Sequence, residues 1–144
     1  MSAEAEPYRS DEEVLEVVRR FEACEFEPDD FKHRQHLVVA LCYLLRGPER
    51  DAHAMVRGGI FKFLAHHRID PAGVYHETLT VFWMRHVCAF LSDDFNEGRS
   101  LLDLANELAE TADKRLPLRH YSRELLFSWE ARLDWVEPDL KPFN

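Results

Sequence analysis

The chain has 144 residues, with 18 basic against 27 acidic side chains, a formal charge of −9 and 46% apolar residues. That length fits one domain, residues 1–144, large enough to bury a core without disulfides or metal. The acidic balance argues against nucleic acid, which demands a basic face, and against an anionic membrane surface. Cys24, Cys42 and Cys88 are 18 and 46 residues apart, with no C-x-x-C pair. An odd set without metal-ligand spacing reads as reduced thiols of a cytoplasmic protein. The start, MSAEAEPYRSDEE, has no apolar centre and so does not read as a secretory signal. The longest apolar run, Leu37 to Leu45, is nine residues, far below the ~20 that span a bilayer.

Apolar residues recur at three- and four-residue spacing, which predicts an all-α, single-domain bundle of about six helices. Ser10 and Glu13 form a capping box ahead of Val14, Val17, Val18 and Phe21, so the first helix is placed at about 11–26, closed by Pro28. The second runs from about Asp30 to Arg46 and stops at Gly47-Pro48. The third covers about 49–67, with Gly58-Gly59 inside it either kinking the helix or admitting a close neighbour. After the turn Asp70-Pro71-Ala72-Gly73, a fourth helix spans about Tyr75 to Ser92. Ser100 and Asp103 cap a fifth that ends near Asp113, and a sixth follows at about 119–135 with an extended tail. Helices two and four are apolar nearly all round, the pattern of central helices, while the others each keep a polar face.

The eight histidines gather near particular helix ends. His33 and His36 lie in the first turns of helix two, three residues apart and on one face. His76 and Glu77 open helix four, His120, Tyr121 and Ser122 open helix six, and His66 and His67 end helix three. Short connections make neighbours antiparallel, so helices two, four and six point the same way. On that topology His33, His36, His76, Glu77 and Tyr121 converge at one end of the bundle, the end at which His67 closes helix three. Several imidazoles with one carboxylate suit zinc, iron, nickel or copper, and a vacant position on such a metal suits activation of water or oxygen. Glu-x-x-His, the unit of di-iron bundles, is absent from the chain.

Plainer roles compete with this one. His33 and His36 suit helix capping or a bond to a nearby carbonyl as well as they suit a ligand set. Glu77 in a first turn gains from the helix dipole without any ligand. An aromatic such as Trp83 is more often core than a ligand contact, His53 reads as solvated or at a helix end, and Arg115, Arg119 and Arg123 form either a solvated face or an anion site.

Three segments together resemble a family of small, all-helical, uncharacterised bacterial proteins. They are Phe31-x-His33-x-x-His36-Leu37, then Tyr75-His76-Glu77-Thr78-x-Thr80, then Tyr121-Ser122-x-Glu124-Leu125-x-x-Ser128-x-x-Ala131-Arg132 with Pro138-Asp139 after it. The likeness covers roughly 31–140 and implies a helical fold and attention to these positions, without an activity.

The expectation is a pocket at one end of the bundle that binds a metal ion or a small molecule. His33, His36 and His76 are the metal-ligand candidates, Glu77 and Tyr121 the catalytic ones, and Thr80, Ser122 and Trp83 the ligand contacts. If it is an enzyme, metal-dependent hydrolysis or oxygenation fits these side chains best. The alternative is a non-enzymatic helical module with structural buried histidines, whose Phe127, Trp129 and Trp135 meet a protein partner or a second copy in a homodimer.

Overall fold

A computed structural model describes residues 6–143. They form α1 (Asp11–Glu22), α2 (His33–Arg46), α3 (Glu49–His66), α4 (Glu77–Ser92), α5 (Leu101–Thr111), α6 (Arg123–Leu126) and α7 (Trp129–Leu133). Single turns of 3-10 helix stand at Pro28–Asp30, Pro71–Gly73, Asp94–Asn96 and Leu116–Arg119, and there is no strand among the described residues. The chain is all-α.

The caps explain the boundaries. Ser10 accepts from the Glu13 amide and Ser100 from the Asp103 amide, so α1 and α5 begin where the Ser-x-x-acid pattern places them. α1 ends earlier than the predicted 26 because Cys24 takes a left-handed conformation (φ 57°), and the Glu25 amide closes back onto the Arg20 carbonyl. Arg68 (φ 59°) ends α3 the same way, with the Ile69 amide on the Leu64 carbonyl. Residues 28–30 coil as a single 3-10 turn, so α2 starts at His33 rather than Asp30. There the Gln35 side chain accepts from the Lys32 amide.

The sixth predicted helix divides into α6 and α7. Ser122 accepts from the Leu125 amide and Ser128 from the Ala131 amide, so each serine starts a helix of its own. Apolar periodicity runs through both and conceals the break.

α2 is the hub. Its run Leu37 to Tyr43 is wholly buried, and it packs against α1, α3, α4 and α5. Burying each such aliphatic side chain contributes about 2 kcal/mol. α4 packs against α2, α3 and α7, and it stands between two apolar clusters rather than wholly inside one. Met84 and Val87 join the main core, whereas Phe82 packs with Tyr121 and Leu126 in a second cluster, and Trp83 borders both. α3 runs unbroken through Gly58-Gly59. A Cβ on Gly59 would lie 2.4 Å from Cε2 of Phe21, so this glycine admits a close neighbour; Gly58 faces open space.

Candidate functional site

The starts of α2 and α4 and the C-terminal half of α3 meet at one end of the bundle, as the antiparallel topology predicts. They enclose a pocket of about 420 Å3. Phe31, Ile60, Phe63, Leu64, Trp83 and Met84 are among the residues of its apolar wall. Among the predicted residues His33, His36, His76, Thr80 and Trp83 reach the pocket, while Glu77, Tyr121 and Ser122 do not.

His33 is half-buried. Its Nε2–H donates to the Ala112 carbonyl at 2.9 Å, and the ring stands edge-on to Trp83 with centroids 4.5 Å apart. Burial lowers its pKa below the ordinary histidine value, and the Lys114 charge adds to that against the Ala112 bond. His36 lies against Phe31, centroids 4.2 Å apart, with no hydrogen-bond partner for its imidazole among the described residues. Burial, with a smaller push from His33, lowers its pKa to about 4, so the ring is neutral at pH 7.

His76 is the N-cap of α4. Its Nδ1 accepts from the Leu79 amide at 3.1 Å, and its Nε2–H donates to the Leu126 carbonyl at 2.6 Å. Both nitrogens are committed to backbone, and burial lowers the pKa of this ring as well. The expected metal-ligand set of His33, His36 and His76 is therefore not assembled. Among the described residues no group of three or more His, Cys, Asp or Glu side chains is placed to hold a metal ion. The physical reason is that His76 is bonded at both nitrogens and has no lone pair left for a metal, so His33 and His36 stand without a third ligand.

Glu77 follows His76 in sequence but turns away from the pocket toward α3. One oxygen accepts from the Tyr75 hydroxyl at 2.5 Å and lies 3.6 Å from Nε of Arg57. The other is 3.1 Å from Nε2 of His53, at an angle that makes no hydrogen bond. Burial and the bond to Glu77 hold the Tyr75 hydroxyl far above its ordinary pKa. Adjacent helical positions point ~100° apart, so His76 and Glu77 serve different neighbours.

Tyr121 is fully buried on the opposite face of α4, where its hydroxyl donates to the Val136 carbonyl at 2.7 Å. Ser122 is the cap of α6, and its amide donates to Asp139 at 2.7 Å. These two expectations are corrected for one reason: the 120s segment packs behind α4, not at the pocket. His67 donates from Nε2 to the Phe26 carbonyl and stays outside the pocket wall.

Sequence reasoning missed three participants. Tyr75 and Lys114 both line the pocket, and His53 faces Glu77. His53 and Arg57 are four apart, which marks one face of α3; nothing local signals Lys114, which a loop delivers after α5. Comparison with family models, with curated proteins and with solved structures finds no match for this chain.

Proposed function

We propose that this protein binds a small organic molecule in the pocket between α2, α3 and α4. The observation that carries the proposal is the pocket's make-up: about 420 Å3, walled by aliphatic and aromatic side chains, with few polar groups at it. Sites for small ligands have this composition and a size of about 300–1,000 Å3. Thr80, His33 and His36 supply orientation and Trp83 supplies a flat apolar face.

Calorimetric titration of the whole chain with 1-octanol tests this. Saturable binding is expected, and it is lost in Thr80→Phe, which fills the pocket. An unchanged circular-dichroism melt of that variant shows that it folds. Absence of saturable binding, or binding untouched by Thr80→Phe, refutes the pocket as the site.

The second reading is a non-enzymatic helical module. It is favoured by the imidazoles of His33, His67, His76 and His120, each bonded to a backbone carbonyl. Phe127, Trp129 and Leu133, all exposed, would then meet a second copy of the chain. A dimer mass in solution that becomes monomeric in Trp129→Ser, with no alcohol binding, would establish it.

A further inference from the structure

The charges around the pocket are one-sided. The chain carries 27 acidic residues and a charge of −9, yet no Asp or Glu lines the pocket, and its one charged wall residue is Lys114. Carboxylates stand next to lining residues at Glu27, Asp29, Asp30, Asp70, Glu77 and Asp113, outside the wall itself, and the two beside His76 and Lys114 are engaged by other side chains. Glu77 is held on the α3 side by Tyr75, Arg57 and His53. Asp113 accepts from the Arg115 amide at 2.9 Å and lies 3.5 Å from Nε of Arg115.

The position of Lys114 follows from the backbone. The bond from His33 to the Ala112 carbonyl ties the loop after α5 to the start of α2, and Lys114 stands two residues further on, exposed to solvent. The polar end of the pocket thus combines a solvated ammonium with two imidazoles. His36 has an N–H that no described protein group claims. Val56, Ile60, Phe63, Leu64 and Met84 form an apolar stretch of the wall, and Tyr75, His76 and Thr80 add polar atoms elsewhere on it.

We infer that the ligand is an amphiphile with a singly charged anionic head, a monocarboxylate on an apolar chain or ring, whose head meets Lys114 and the imidazole N–H of His36. This rests on the small-molecule reading above and narrows it to a chemical class. A carboxylate at the mouth keeps part of its hydration, so it avoids the cost of a buried charge while the apolar body is withdrawn from water. A cationic head would meet the ammonium of Lys114 at a wall that itself carries no carboxylate.

The test is titration of the whole chain at pH 7.5 with three probes of equal chain length: octanoate, 1-octanol and octylammonium. Octanoate is expected to bind about fivefold tighter than 1-octanol at low salt, a preference that shrinks as salt screens the exposed lysine. Octylammonium is expected to bind most weakly. Lys114→Gln should abolish the preference for octanoate over 1-octanol, read as the ratio of their affinities in the same variant, and Lys114→Glu should move the preference to octylammonium. Lys114 is a surface residue, so both variants keep the fold. If 1-octanol binds as tightly as octanoate, or if Lys114→Gln leaves their ratio unchanged, the anionic class is wrong and the small-molecule reading stands. If none of the probes binds, both fail together.

Discussion

The two faces of α4 make opposite use of polar side chains. On the side toward α6, α7 and the tail, Thr78 bonds Asp134 and Tyr121 bonds Val136, and His76, which also borders the pocket, bonds Leu126. Phe143 from the tail packs against Tyr121 and Phe82 and closes that face. On the side toward α2 and α3, His36 has no partner among the described residues and the apolar wall encloses space instead of meeting another wall. Buried polar groups are normally satisfied. The bonded side is architecture, and the pocket side is the one to which the proposed ligand is assigned.

Acid should produce the largest break in this contrast. Because burial holds His36 at about 4 in the folded chain, the unfolded chain, at about 6.5, binds the extra proton between those values. Stability is then complete above about pH 6.5, falls as pH drops toward 4 and levels off below. The loss is about 3 kcal/mol for this one group. His33, His76 and His86 are lowered as well and act in the same direction. Urea midpoints at pH 7.5, 5.5 and 4.5 should show the fall. His36→Gln should flatten it, and a slope that persists unchanged in this variant would contradict the assignment.

Where the two faces meet, His76→Ala removes both the cap of α4 and the bond to Leu126. The expected loss is about 2 kcal/mol, read as a shift of the urea midpoint at constant slope. Tyr121→Phe leaves the Val136 carbonyl without its hydroxyl donor and should cost about 1 kcal/mol; no change in alcohol binding is expected. An equal loss of binding in Tyr121→Phe would show that the two faces are not separate.

The smallest stability effect belongs to the pocket mouth. Lys114→Gln should alter the midpoint by less than about 0.5 kcal/mol, as for other exposed positions. A larger destabilisation would make Lys114 part of the architecture rather than a group kept for a ligand.

Much of the fold was legible in the chain because its signals are local. Ser10 and Ser100 marked helix starts, Gly47-Pro48 a stop, and the run Leu37 to Leu45 the central helix. The same reasoning missed the division at Ser128, since a serine suits a helix surface and a cap alike. It also missed the short end of α1, because Cys24 is not a residue expected in a left-handed turn.

The site divides along the same line. Helical spacing and antiparallel order brought His33, His36, His76, Thr80 and Trp83 to one pocket, because period and short connections are properties of neighbouring residues. Whether an imidazole is open or committed depends on which carbonyl lies within 3 Å of it. For His33 that carbonyl is Ala112 and for His76 it is Leu126, 79 and 50 residues away. The chain by itself determined an all-helical bundle whose helix ends carry the histidines. Tertiary structure alone decided that Glu77 faces α3, that Tyr121 lies behind α4 and that Lys114 stands at the pocket mouth, because hydrogen bonds and charge pairs form between elements that sequence spacing does not relate.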